Sequence, residues 1–232
     1  DTTQKNTEQN WLKTNLAKFS RMLQGQKDLN TVGRLILSEL VPVVSAQQAL
    51  FYVLDGSKEP PTLVLLASYA ATGGLPRQLA IGDGLIGQCA AEARKIVLDC
   101  VPDDYVQISS GLGSTRPNSV LILPIVFEDQ VRGVLELASL GRFDSTHQAF
   151  LEQLTESIGI VINTIEANMR TENLLTQSQS LAQELQSRQP ELQQTNQELQ
   201  EKARLLAHQN EEVERKSREV EQARQALEDK AK

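Results

Sequence analysis

The sequence predicts an α+β domain followed by a long helical coiled coil. Nearly all glycine, proline and aromatic residues precede residue 150, whereas the sequence from 171 onward is mainly Gln, Glu, Leu, Lys, Arg and Ala, with one proline and no glycine. In this second part leucine or valine recurs every seven residues, which is typical of a coiled coil. We therefore expect an entry helix at 1–27, a compact domain at 28–168 and a coiled coil at 169–232.

Composition and charge argue against several classes of partner. The net charge is −7 with a pI of about 5.0, and the basic residues are interspersed with acidic ones. We therefore expect no contact with nucleic acid or with a membrane. The longest apolar stretch, 120–127, is far shorter than the roughly 20 residues that cross a bilayer. Two cysteines make no disulfide framework and no signal peptide is visible, which predicts a cytoplasmic protein.

Two helices are predicted at the start of the chain. Apolar residues within 11–23 recur every three or four positions, as on one face of a helix, and Gly25 ends this pattern. Asp28 is a suitable N-cap for a second helix, which should bury Val32 and Ile36 and end near Pro42.

Two hairpins are predicted in the middle of the chain. Residues 48–54 are aromatic and β-branched, and Asp-Gly supplies a turn before a second strand at 62–70. Strands at 119–127 and 131–140 form the other hairpin, and their nearly continuous hydrophobicity predicts a sheet covered on both faces.

The segment between the hairpins is less regular. We expect a short helix at 88–94 and a short strand at 96–99. Residues 101–118 are rich in turn-forming residues and predict a long loop. A loop of this length in a compact domain is more often functional than idle.

The last helix is predicted to continue from the domain into the coiled coil. Asp144 caps its start, and no stop signal follows. Leucine or valine fills heptad position d, while small or polar residues fill position a. Asparagines at a favour two parallel chains in register, because they pair across such a dimer and stay unsatisfied in most other alignments. The predicted dimer seam comprises Leu185, Leu192, Asn196, Leu199, Leu206, Asn210, Val213, Val220 and Leu227.

A break is predicted near Pro190. The upstream apolar stripe predicts its next seam position at Ala182, whereas the downstream seam has Leu185 at d, an offset of three residues. Proline also removes one helical hydrogen bond. Two interpretations stay open: a tolerated break between two helices, or a hinge that converts rotation upstream into a change of packing downstream.

The order of the predicted elements and four short segments resemble a GAF domain. The segments are GDGLIG at 82–87, IVLD at 96–99, SVLILPI at 119–125 and GVLEL at 133–137. The resemblance covers roughly 28–168. It implies a six-stranded antiparallel sheet with helices on both faces, and a ligand pocket on the face opposite the N-terminal and exit helices.

The resemblance places this pocket under the 101–118 loop. Alternation along the last strand puts Val134, Glu136 and Ala138 on one face. Glu136 could accept hydrogen bonds from a ligand, or it could pair with loop donors or Arg116, because a buried charge needs a partner. On location alone, the pocket candidates are Tyr69, Asp99, Tyr105, Ser119 and Glu136.

We expect no cofactor and no catalytic or metal site. Cys100 is not followed by the histidine that usually adjoins the pigment-binding cysteine of bilin-binding relatives, and His147 is predicted at the surface, so no haem ligand is expected. The histidines lack neighbouring ligands at metal-binding spacing. A thiol-dependent methionine sulfoxide reductase that uses Cys89 and Cys100 is a remote alternative, because the third loop cysteine of those relatives is missing.

The entry helix and Gln-rich coil further resemble the sensor and linker of bacterial hybrid sensor histidine kinases. This implies a two-component signalling module: a parallel homodimer that passes a signal, with an unknown small ligand possible, to a downstream kinase domain. Kinase motifs are absent from the chain, so it should not be an enzyme. The chain starts without methionine and stops within a helical pattern, so we expect a longer protein. The structural alternative is a ligandless dimerisation block and spacer.

Overall fold

The computed structural model describes residues 2–71, 73–103 and 105–230, with side chains described for 4–71, 73–103 and 105–224. The chain divides into a first unit, Asp1–Arg170, and a second unit, Thr171–Lys232. The described residues form four helices and eight strands. In chain order these are α1 (Thr2–Leu23), α2 (Leu29–Val43), β1 (Gln48–Asp55), β2 (Thr62–Tyr69), β3 (Gln78–Ala80), α3 (Gly84–Glu92), β4 (Ile96–Asp99), β5 (Ile108–Ser110), β6 (Gly113–Thr115), β7 (Ser119–Phe127), β8 (Gln130–Ser139) and α4 (Ser145–Lys230).

The two predicted helix caps are present. The Asp28 carboxylate accepts a hydrogen bond from the backbone N–H of Thr31 at 2.8 Å, at the start of α2. At the start of α4, the Asp144 carboxylate accepts one from the backbone N–H of His147 at 2.7 Å. Each cap satisfies a backbone donor that has no partner within its own helix.

A six-stranded antiparallel sheet forms the centre of the first unit, as predicted. Its strand order is β3-β2-β1-β8-β7-β4, so β1 and β8 are the central strands. The predicted hairpins β1–β2 and β7–β8 are both present. The α+β class is therefore confirmed.

Apolar side chains cover both faces of this sheet. On one face, here the three-helix face, α1, α2 and the start of α4 bury a cluster that includes Phe51, Leu135 and Phe150. On the other, the α3 face, α3 contributes Cys89 to a second cluster with Val134. The alternation predicted along β8 is thus confirmed, because consecutive residues enter opposite clusters.

Three local elements differ from the sequence prediction. Helix α3 begins at Gly84, four residues earlier than expected, and β3 was not predicted. Glycines disfavour a helix, but a side chain at Gly87 would come within 2.5 Å of the Ala80 carbonyl oxygen, so only glycine lets α3 approach β3. The predicted loop at 101–118 contains the hairpin β5–β6, whose strands are too short to show periodicity.

Helix α4 passes through Pro190 without interruption, so the predicted break is wrong. Proline cannot donate to the carbonyl group of Gln186, one turn earlier. Residues 186–190 are exposed, so water can hydrate this carbonyl group and the helix can continue.

Candidate functional site

A cavity of about 330 Å³ lies on the α3 face, against the central strands. This volume is at the lower end of the roughly 300–1,000 Å³ that small-molecule sites occupy. Strands β1, β7 and β8 form its floor, and residues that follow β2 and β4 form its walls. The lining residues are Gln48, Ala49, Leu50, Ala71, Leu75, Tyr105, Val106, Gln107, Ser109, Val120, Glu136 and Ala138.

Glu136 lies at the centre of this floor. Its cross-strand neighbours are Leu50 on β1 and Ile122 on β7, and Val134 and Ala138 flank it on the same face of β8. Among the described residues, none makes a hydrogen bond or ion pair with its carboxylate, and burial raises its pKa to about 7. The group therefore changes charge near neutral pH.

Two tyrosine hydroxyl groups lie within electrostatic range of this carboxylate. Burial raises the pKa of Tyr52 and of Tyr105, and the negative charge of Glu136 raises both pKa values further. The Tyr52 hydroxyl donates a hydrogen bond to the Pro76 carbonyl oxygen at 2.8 Å. The structure thus brings together two of the predicted pocket residues, Tyr105 and Glu136.

Arg116 is not the partner of Glu136. Its guanidinium group donates to the carbonyl oxygen of Val101 at 3.1 Å and forms an ion pair with Asp103 at 3.0 Å. The alternative that paired Arg116 with Glu136 is therefore wrong, because this cation already has two acceptors elsewhere.

Gln48, which was not among the predicted pocket residues, links the two walls of the cavity. Its side-chain amide donates to the carbonyl oxygens of Ala70 and Gln107, both at 3.2 Å. The side chain is buried at the start of β1, in the alternation that also puts Leu50 and Tyr52 on the α3 face. The signal in the sequence was a polar glutamine at a position that strand alternation places on the same face as Leu50 and Tyr52.

A β-bulge explains why Tyr69 does not line the cavity. The register of β2 against β1 shifts at Leu66, so Leu65 faces the α3 cluster while Leu66 and Ala67 both join the three-helix cluster. This extra residue reverses the alternation beyond it. Tyr69 consequently packs against the three-helix cluster.

Strand alternation turns Asp99 and Ser119 away from the cavity as well. In β4, Ile96 and Leu98 pack on the α3 face, whereas Asp99 is exposed. Ser119 is fully buried and in phase with Leu121 of the three-helix cluster, and its hydroxyl has no hydrogen-bond partner among the described residues. Neither residue lines the cavity.

The two cysteines lie outside the cavity lining. The Cys89 side chain is fully buried in α3, and burial, with a smaller effect of Glu92, raises the pKa of its thiol to about 12. Cys100 is exposed. Both cysteines are free, so Cys89 and Cys100 do not form a disulfide with each other.

His147 is not the surface residue that the sequence predicted. Its side chain is half-buried and its ring packs edge-on against Trp11, with the ring centroids 5.5 Å apart. Within the described ranges, no group of three or more His, Cys, Asp or Glu residues is arranged to hold a metal ion. No described helix is both long and apolar enough to cross a bilayer.

The predicted seam is exposed in the second unit. Its described leucine and valine side chains keep 58–67% of their surface accessible, and both seam asparagines are exposed as well. The Leu227 side chain lies outside the described residues. The described apolar seam positions are Leu185, Leu192, Leu199, Leu206, Val213 and Val220.

A family model described as GAF domain matches residues 26–163. The GAF domain of a Coxiella burnetii phosphoenolpyruvate-protein phosphotransferase is 21% identical, with a TM-score of 0.57 over 70% of this chain and 98% of that chain. Free methionine-R-sulfoxide reductase from Neisseria meningitidis is 20% identical, with a TM-score of 0.52 over 66% and 89% of the two chains. Part of a methyl-accepting chemotaxis protein is also 20% identical, with a TM-score of 0.50 over 64% and 97%. No curated protein matches the chain.

Proposed function

Because this chain belongs to the GAF domain family, we propose that it is a cytoplasmic sensory module that forms a parallel homodimer and relays a signal through its coiled coil to a downstream histidine kinase. The GAF fold occurs in signalling proteins such as the chemotaxis protein described above. A ligand would act by binding two arrangements of the paired helices with unequal affinity.

The exposed seam carries this proposal. Six leucine or valine residues stand seven apart over Leu185 to Val220, and each exposes more than half of its surface. A single helix cannot bury such a stripe, whereas a second copy of the same helix covers it with an identical stripe. Asn196 and Asn210 occupy position a, which favours parallel chains in register.

Helix α4 supplies the covalent route for a signal. Its first turns bury Phe150, Leu154 and Ile158 in the core of the first unit, and its later turns carry the seam. A change in how these core residues pack therefore acts on the same helix that pairs with the partner copy.

The cavity supports a sensory role over a ligandless spacer. A spacer needs only a filled core, whereas the α3 face has a cavity of about 330 Å³ that includes a carboxylate. Thiol catalysis is disfavoured, because the Cys89 thiol is buried with a pKa of about 12 and is almost never a thiolate near neutral pH.

Dimerisation can be tested with two adjacent leucines that are equally exposed. Leu206 is a seam residue at position d, whereas Leu205 is at position c, and each exposes 60% of its surface. We expect Leu206→Glu to raise the dimer dissociation constant at least about 100-fold, because two buried leucines are worth about 3 kcal/mol or more. Leu205→Glu should leave it within about threefold.

Sedimentation equilibrium at micromolar concentration measures both constants. Equal effects of the two substitutions, or a wild-type chain that is monomeric at this concentration, would refute the proposed seam.

The orientation of the chains can be tested by disulfide crosslinking in a Cys100→Ser background. Leu185→Cys should crosslink to itself, because position d residues face each other in a parallel dimer in register. In an antiparallel pairing centred on the predicted seam, residue 185 would lie opposite residue 227 of the other chain, and the two copies of residue 185 would be about 63 Å apart at 1.5 Å per residue. Ser187→Cys, at the outward position f, is the matched control and should stay uncrosslinked. Absence of the Leu185→Cys crosslink in a dimeric sample would contradict the parallel arrangement.

The relay can be tested in a fusion protein, in which this chain is joined in heptad register to the dimerisation and catalytic domains of a histidine kinase. The rate of autophosphorylation is then measured. Deletion of residues 197–203 removes one heptad and should preserve autophosphorylation, whereas deletion of 197–200 shifts the seam and should change the rate several-fold. Equal rates for the two deletions would contradict a relay through helix packing.

A further inference from the structure

The carboxylate in the cavity has no partner within the described protein, and this points to the kind of ligand that the cavity accepts. We propose that the cavity binds a small organic monocation, an amine or guanidine with an apolar body, whose charged group pairs with Glu136. The proposal rests on the sensory function proposed above and names the chemical class of the ligand.

The charges around the cavity select a cation. Glu136 is the one charged side chain among the described lining residues. Arg116, on the nearby loop, already donates a hydrogen bond to the Val101 carbonyl oxygen and forms an ion pair with Asp103. An anionic ligand would meet a carboxylate with no described compensating cation, whereas a cationic ligand supplies the partner that a buried carboxylate requires.

Size and polarity restrict the ligand further. The cavity holds about 330 Å³, and seven of its lining residues are aliphatic: Ala49, Leu50, Ala71, Leu75, Val106, Val120 and Ala138. An apolar ligand body would gain from contact with these walls. A second cationic group would find no described acidic side chain in the lining, so a monocation fits better than a polyamine.

The ionisation of Glu136 predicts how the affinity for a cationic ligand depends on pH. Among the described residues, the ionisable groups whose pKa values respond to the charge of Glu136 are Tyr52 and Tyr105. Burial, and to a smaller extent this charge, raises both pKa values above the usual 10, so both groups stay neutral between pH 6 and pH 8. The carboxyl group of Glu136 has a pKa of about 7 in the empty cavity. Because a cation needs the ionised form, its affinity should be constant above pH 7 and fall up to about tenfold per pH unit below it.

Calorimetric titration of the full chain tests this with amines and alcohols that share a carbon skeleton. The probes are propylamine, 3-methylbutylamine, 2-phenylethylamine and tryptamine, each compared with the alcohol in which a hydroxyl replaces the amine. At pH 8 we expect at least one amine to bind at least tenfold more tightly than its alcohol, and to lose about tenfold in affinity at pH 6.

Two variants with the same change of charge complete the test. Glu136→Gln should remove both the preference for the amine and its pH dependence. Glu128→Gln, at the exposed turn between β7 and β8, should keep both. The proposal is overturned if no amine binds more tightly than its alcohol, or if Glu136→Gln keeps the preference.

The binding test of the cationic ligand and the sedimentation test of the dimer can fail independently of each other. Tight binding of the alcohols alone would refute the cationic ligand and leave sensing intact. A monomeric chain in the sedimentation test would refute the relay whether or not an amine binds.

Discussion

Replacement of Gly159 by alanine should destabilise the first unit by about 3 kcal/mol, the upper part of the usual range for overpacking. Gly159 is buried where α4 crosses β7, and a Cβ atom there would collide with the carbonyl oxygen of Val126 and lie 3.0 Å from its carbonyl carbon. Both atoms belong to the backbone of β7 where Val126 pairs with Val131 of β8, so they cannot move without disturbing this pairing. The collision outweighs the roughly 1 kcal/mol that alanine normally gains over glycine in a helix.

Gly33→Ala is the matched control, because Gly33 is also a buried glycine within a helix. A Cβ atom at Gly33 would lie 2.9 Å from the Cδ2 atom of Leu66, which is the end of a flexible side chain. We expect a change of less than about 1 kcal/mol, since side-chain rotation and helix propensity offset each other.

Urea unfolding followed by tryptophan fluorescence measures both effects. Trp11 is the single tryptophan and packs edge-on against Phe150, so its fluorescence reports on the first unit. Equal stabilities of Gly159→Ala and Gly33→Ala would show that the close approach of α4 to β7 does not restrict residue 159.

Glu136→Gln should stabilise the chain at pH 8 by up to about 3 kcal/mol and should have little effect at pH 4.5. Burial raises the pKa of this carboxyl group from 4.5 to about 7. The folded state therefore favours the protonated form, so the destabilisation begins above pH 4.5, grows until about pH 7 and is constant beyond it. Glutamine has nearly the same shape and no charge, so it removes this cost.

Urea unfolding of both forms at pH 4.5 and pH 8 tests this expectation. The exposed Glu128→Gln variant should follow the wild-type protein at both pH values. A wild-type chain and a Glu136→Gln variant with the same pH dependence would show that Glu136 is not desolvated. If Glu136→Gln is more stable than the wild-type protein, misfolding cannot explain its loss of amine binding.

Local rules were sufficient for much of the fold. Asp28 and Asp144 each accept a hydrogen bond from a backbone N–H group only three residues away, so both caps could be predicted from the sequence. The orientation of Glu136 followed from simple alternation, because the pairing of β8 with both neighbours is regular from Gly133 to Ala138. The heptad spacing also placed the leucine and valine residues from Leu185 to Val220 on one stripe of α4, and their pairing in a dimer stays a prediction.

Other features depend on contacts that sequence patterns do not contain. The bulge at Leu66 is visible only in the register of β2 against β1, and it moves Tyr69 to the opposite face. Asp99 and Ser119 were selected by location, and only the pairing of β4 with β7 fixes which face each occupies. The cavity itself depends on chain segments far apart in sequence, which Gln48 holds together.

The two hydrogen bonds of Gln48 have a mechanical consequence for this part of the molecule. Their acceptors lie 22 and 59 residues away along the chain, yet both depend on a single amide nitrogen. Rotation of one side chain therefore breaks both contacts in the same event. The chain segments that carry Ala70 and Gln107 thus share one hydrogen-bond donor, and neither keeps its bond when this side chain turns away.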